Sequence, residues 1–124
     1  MISLDVSKPV SRPPLGRRTD ARWAAQIAAA AVAAAFTIPI GELRATTRRP
    51  AQIAFARQSA MYLAHVAFGL SYTDVGRAFG RDRTTAAHAC RLVEDRRIEP
   101  GLDARLASLE HLLHRSRSLT GGAA

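Results

Sequence analysis

The stretch Phe79-Gly80-Arg81-Asp82-Arg83-Thr84-Thr85-Ala86-Ala87-His88-Ala89-Cys90 joins two helical patterns through a tight turn. Phe79 and Gly80 end a short helix. Asp82 opens a second, whose first turn carries Arg83, Thr84 and Thr85. A helix-turn-helix presents its recognition helix in this way, with a glycine turn and then polar residues at the helix N-terminus aimed at base edges. Such a unit also needs a small residue where its helices cross and small apolar residues on the second helix's inner face. Gly76, Gly80, Ala86 and Ala89 supply them.

On the outer face Arg83, Thr84, Ala87 and Arg91 share one stripe at helical spacing. Thr84 and Thr85 offer a methyl for thymine and a hydroxyl for phosphate or base, and Arg83 has the reach for guanine or a phosphate. Asp82 suits either of two roles: accepting from cytosine N4, or capping the helix. The free N–H groups at this helix start also attract phosphate. A second basic element lies upstream, in Arg48-Arg49 and then Arg57-Gln58. From Arg44 to Arg83 there are seven arginines (44, 48, 49, 57, 77, 81 and 83) against Asp74 and Asp82. That balance of +5 is more than half of the chain's net +8. A solvated surface mixes signs more evenly, so the cluster points to a polyanion. The plainer alternative pairs Arg57 with an acid and leaves Arg48-Arg49 in water.

At 124 residues the chain has room for one domain with a core of its own. Seventeen of its 18 basic residues are arginine, Lys8 being the exception. With a pI near 11.4 this favours a nucleic-acid partner. The single cysteine, Cys90, forms no internal disulfide and fits a reducing cytosol. The uncharged run Trp23 to Gly41 is mostly alanine, holds Gln26 and Pro39, and places Ile27, Val32 and Phe36 at helical spacing. It reads as an amphipathic helix, not a membrane span or signal segment. Lys8 stands outside any Gly-x-x-x-x-Gly-Lys-Ser/Thr pattern, so no phosphate-binding loop is expected. His111 and His114 lack the further ligands of a zinc site, and Cys90 lacks a base to make it a nucleophile. Neither an enzyme activity nor a cofactor is expected.

The expected architecture is all-α, a helical bundle containing the helix-turn-helix, with no strand-like alternation and no repeat. Residues 1–18 read as a disordered basic arm and residues 19–99 as the DNA-binding domain. A C-terminal helix within 100–118 packs on the bundle, and 119–124 form a flexible tail. Within the domain, Asp20 caps a first helix to about Phe36, and Thr37 to Leu43 form a connector. Arg44 to Pro50 form a loop, and a helix then runs from about Ala51 to Phe68. Ser71 caps a short helix to Phe79, and the recognition helix spans roughly Asp82 to Arg97. Pro100 and Gly101 interrupt the pattern before a last helix from about Asp103 to Arg115. Its stripe Leu102, Leu106, Leu109 and Leu113, with Leu112, either packs on its own bundle or pairs chains.

Arg48-Arg49, Ala56-Arg57-Gln58-Ser59-Ala60-Met61-Tyr62-Leu63, Ser71-Tyr72, Val75-Gly76, Ala78-Phe79-Gly80 and Arg81 to Cys90 together resemble the C-terminal DNA-binding domain of the bacterial replication initiator DnaA. The resemblance covers about Ile27 to Arg97 and is most specific in Arg-Asp-x-Thr-Thr-x-x-His-Ala. It implies that Arg49 enters the minor groove, that Arg48 binds the backbone beside it, and that Arg57 and Gln58 approach the duplex. It implies that Asp82, Arg83, Thr84 and Thr85 read the major groove, and that His88 packs or contacts a helix. Two departures stand out. The family usually has two glycines before Arg-Asp, where this chain has only Gly80, and it has histidine at the position of Arg83. The second departure implies a changed or weakened sequence preference.

The residues thus point to a sequence-preferring binder of double-stranded DNA, cytoplasmic and nucleoid-associated, that regulates replication initiation or transcription without ATPase activity. Arg48, Arg57, Arg77 and Arg81 would supply the phosphate contacts. The alternative is an interaction adaptor that self-associates or docks a partner through the C-terminal leucine stripe.

Overall fold

The computed structural model describes residues 17–44 and 51–123, and every element among them is helical. The order is α1 (Arg17–Phe36), α2 (Ile40–Arg44), α3 (Ala51–Phe68), α4 (Tyr72–Phe79), α5 (Arg83–Arg96) and α6 (Pro100–Ala123). No helix among the described residues is long and apolar enough to cross a membrane. The expected basic arm falls largely outside the described residues, as do 45–50 with Arg48 and Arg49.

Helix α3 is the axis of the bundle. Along one face of it Ala56, Ala60, Leu63, Ala64 and Ala67 are buried, while Ile53, at the spacing of the same stripe, is only half-buried. Against it lies α1, whose buried face is Ala24, Ala25, Ala28, Ala29, Val32 and Ala33. Alanine facing alanine lets two helices approach at the short end of the usual interaxial range. Of the residues expected inward on α1, Val32 is fully buried, while Ile27 and Phe36 pack only at the margin. Trp23 near the start of α1 meets Phe68 at the end of α3 edge-to-face, 5.7 Å between centroids, so the two helices run antiparallel.

Three helix ends differ from expectation. Helix α1 begins at Arg17, one turn before the expected cap Asp20. Helix α6 begins at Pro100, which occupies the first helical position, where its missing N–H costs nothing. The Pro100-Gly101 pair therefore starts this helix instead of interrupting the chain. Its backbone stays helical to Ala123, through most of the segment expected to be a tail.

The leucine stripe of α6 faces the bundle. Leu106, Leu109 and Leu113 are buried, Leu102 packs at the edge, and only Leu112 stands out, 58% exposed. The packing alternative therefore describes the stripe. His114 Nδ1–H donates to Ala67 O (3.4 Å), while Tyr62, earlier on α3, shares Arg97 with Glu110, earlier on α6. The two helices therefore run parallel.

Candidate nucleic-acid interface

Helix α4 starts where Ser71, in extended backbone, accepts the Asp74 N–H on its hydroxyl (3.0 Å). It ends at Gly80, whose φ of 70° and ψ of 32° lie in the left-handed region that a side chain disfavours. The Gly80 N–H turns back to Gly76 O and Arg77 O, and the Arg81 N–H reaches Gly76 O at 2.7 Å. These bonds close the helix as a Schellman motif. A single glycine thus completes the turn in which the family usually carries two.

Gly76 matters as much. A Cβ placed there would stand 2.6 Å from Arg81 O and 2.9 Å from Asp82 O. The turn backbone lies directly on the bare α-carbon of Gly76, which fixes how α5 leaves α4. This is the close crossing that the sequence pattern required.

Asp82 opens α5 in extended backbone and accepts the Thr85 N–H on Oδ1 at 2.8 Å. That backbone hydrogen bond, with a further one from the Thr85 side chain, holds its carboxyl below the ordinary aspartate range. Of the two roles open to Asp82, the cap is the one its geometry fills. Ala86, Ala89, Cys90 and Val93 are buried and form the inner face. The opposite side leaves Arg83, Thr84, Thr85, His88 and Arg91 exposed and Ala87 half-buried.

His88 departs from its expected packing role. It lies one helical turn beyond Thr84 and three residues before Arg91, on the side away from Ala86 and Ala89, so its ring stands in solvent with theirs. No acidic residue interrupts this face between Asp82 and Glu94.

The supporting basic residues divide. Arg77 is exposed and pairs loosely with Asp74 one turn back (3.6 Å), and Arg81 is half-buried at the turn. Arg57 is only 9% exposed: its Nε–H donates to Leu43 O (2.9 Å) and Nη2–H to Glu42 O (3.4 Å). These are carbonyls in the last turn of α2, which has no intrahelical donors to fill them. Arg57 therefore fastens α2 to α3, a duty set by residues fourteen and fifteen positions away that no local pattern announces. Its side chain still borders a cleft shared with Leu43, Arg77, Phe79 and Arg81. Gln58 beside it is half-buried.

The far end of α5 is held by a network that sequence reading missed. Arg97 Nε–H donates to Asp103 Oδ1 at 2.6 Å, and Nη1–H to Tyr62 Oη at 2.9 Å and Glu110 Oε1 at 3.0 Å. Tyr62 in turn donates to Glu94 Oε1 at 2.9 Å. Burial pushes the Tyr62 phenol above its ordinary range, with Arg97 opposing the shift. One arginine thus ties α5 to α3 and α6. Its partners are 6 to 35 residues away, so only tertiary structure reveals it.

The other candidate chemistry resolves into packing. Burial pushes the Cys90 thiol up to about 11, which leaves it protonated and inert at neutral pH. His65 is half-buried. Its Nδ1–H donates to Leu70 O at 2.7 Å and its ring stacks on Tyr72, fixing the α3–α4 turn. Among the described residues no group of His, Cys, Asp or Glu is placed to hold a metal ion.

Residues 25–93, which run from within α1 through most of α5, match the family model described as the bacterial DnaA protein helix-turn-helix. The chromosomal replication initiator protein DnaA of Bordetella pertussis is 47% identical over 68 residues, covering 54% of this chain and 13% of that protein. Its namesake from Sphingopyxis alaskensis is 44% identical over 69 residues, covering 54% and 15%. The one from Paraburkholderia phymatum is 40% identical over 86 residues, covering 68% and 16%. The chain thus aligns with about one-seventh of the length of these relatives.

Proposed function

The chain belongs to the bacterial DnaA helix-turn-helix family, and from that footing we propose that it binds double-stranded DNA through the outer face of α5, with a preference for sequence. The observation that carries this is the turn. Gly76 and Gly80 seat the start of α5, Asp82 caps it, and Arg83, Thr84 and Thr85 stand exposed at its N-terminus. Such a rigid, polar helix start is the part a helix-turn-helix offers to base edges in the major groove. Thr84 and Ala87 present methyls suited to thymine. Arg77, Arg81 and Arg91 lie near enough on the surface to meet phosphates, with Arg48 and Arg49 adding charge from the preceding segment.

The consequence in the cell is occupancy of DNA sites, in the cytoplasm at the nucleoid, which regulates replication initiation or transcription. No bond is made or broken by this segment, and ATP hydrolysis has no part in its binding.

Affinity should fall steeply with salt, because each neutralised phosphate releases condensed counterions. For about four to six phosphates the slope of log K against log salt is roughly −4 to −5. A fluorescence-anisotropy titration of random-sequence duplex at several salt concentrations measures it. A slope near zero, or no binding at low salt, overturns the proposal.

A further inference from the structure

We infer that two copies of this chain pair about a two-fold axis through the outer face of α6, with the two helices antiparallel. The inference goes beyond DNA binding and does not depend on it. It starts from the two large apolar side chains that the fold leaves most exposed, Ile98 at 86% and Leu112 at 58%. Ile98 stands in the turn that leads into α6, and Leu112 lies midway along that helix. Each is bordered by charge of one sign. Beside Ile98, Asp95 and Glu99 are exposed and form no ion pair among the described residues. Beside Leu112, His111 and Arg115 are exposed and equally without a carboxylate partner among them.

Between these two points the outer face is nearly bare. Gly101, Ala104 and Ser108 lie along it at helical spacing and are exposed, and nothing comes within 4 Å of a Cβ placed at Gly101. Small side chains let a second helix approach closely but select no partner. The charge pattern selects one. This face is acidic before its first turn and basic towards its end, so it complements itself when turned end for end. Ile98 and Glu99 of one chain then meet Leu112 and Arg115 of the other, Ala104 meets Ser108 at the axis, and the reciprocal contacts form at the same time. A parallel arrangement would set like charges against each other. The buried leucines 106, 109 and 113 take no part. Helix α6 also lies beyond residues 25–93, so the pairing face is additional to the segment that matches the family. One helix face falls short of the about 800 Å² per partner of a standard interface, so free chains pair weakly. Copies on neighbouring DNA sites, where their effective concentration is high, pair more fully.

Sedimentation equilibrium of the whole chain without DNA, at rising protein concentration, measures the pairing. Wild type should pass from monomer to dimer and no further, and less readily at high salt. Ile98→Ser and Leu112→Ser each remove two contacts per dimer and should weaken it roughly 5- to 30-fold. Both positions are exposed, so circular dichroism should match wild type. Glu99→Arg and Arg115→Glu should each pair less than wild type, whereas a mixture of the two should recover dimer, because every charge then faces its opposite. A monomer at every concentration overturns the inference. So does a dimer that Ile98→Ser and Leu112→Ser leave unchanged, or an assembly that grows beyond two. Duplex binding stands in each case, because none of these residues lies on the outer face of α5.

Discussion

Replacing Gly76 by alanine introduces one methyl group where α4 meets the turn, and its effect follows from two opposed terms. Alanine in a helix interior is favoured over glycine by about 0.5–1 kcal/mol. Against this, the new Cβ would lie 2.6 Å from Arg81 O and 2.9 Å from Asp82 O. Both obstacles are backbone atoms, so no side chain can swing aside. Overpacking of this kind costs about 1–3 kcal/mol, and a contact this short belongs at the upper end of that range. The net loss is therefore about 1–2 kcal/mol. For a domain of this size each kcal/mol lowers Tm by roughly 3–6 °C.

Gly101 supplies the control, because nothing lies within 4 Å of a Cβ there and the residue is helical. Gly101→Ala should raise stability by about 0.4–1 kcal/mol. Thermal unfolding followed by far-UV circular dichroism compares the two directly. Gly76→Ala should also lose DNA affinity below its Tm, since the turn must shift the residue that caps α5. A Gly76→Ala protein as stable as Gly101→Ala would refute the close packing of the turn on α4.

Three further outcomes follow from the same contacts. Arg57→Lys should destabilise almost as much as Arg57→Ala, by about 1–3 kcal/mol in urea titration, because lysine cannot span the carbonyls of Leu43 and Glu42; a fully stable Arg57→Lys would assign Arg57 to phosphate alone. Leu106→Ala should cost about 2–5 kcal/mol, whereas Leu112→Ala at its exposed position should change stability by less than about 0.5 kcal/mol. Equal effects in the two would reopen the leucine stripe as a pairing surface. Burial lifts the Cys90 pKa to about 11, so a disulfide reagent at pH 8 should modify it only as the protein unfolds; rapid reaction of folded protein would contradict its position in the core.

The parts legible in the sequence are those whose causes are local. Ser71 and Asp82 bond the N–H three residues on, and Gly69 and Gly80 adopt positive φ just after a helix. The bounds of α3, α4 and α5 and the exposed start of α5 were therefore readable from short segments. The burial of Ala86, Ala89 and Val93 followed from helical spacing alone.

The parts that were not legible depend on distant partners or on weakly apolar residues. The inner face of α1 is alanine, and a pattern that searches for Ile, Val and Phe assigns the core to Ile27 and Phe36 when Ala28 and Ala29 fill it. Arg57 looked like a residue for DNA because its role as a brace depends on carbonyls contributed by α2. Arg97 gave no signal, since its value comes from Tyr62 and Glu110 converging on it. Charge tells where an arginine is, and packing tells what it is free to do.

The most direct test of binding through the outer face of α5 is an amide chemical-shift titration of the 15N-labelled chain with a short duplex. The largest changes should fall on residues 81–88 and on Arg91, with α6 almost unmoved. Changes centred on Leu112 and the outer face of α6, or none at a saturating amount of duplex, would contradict a DNA-reading role for α5.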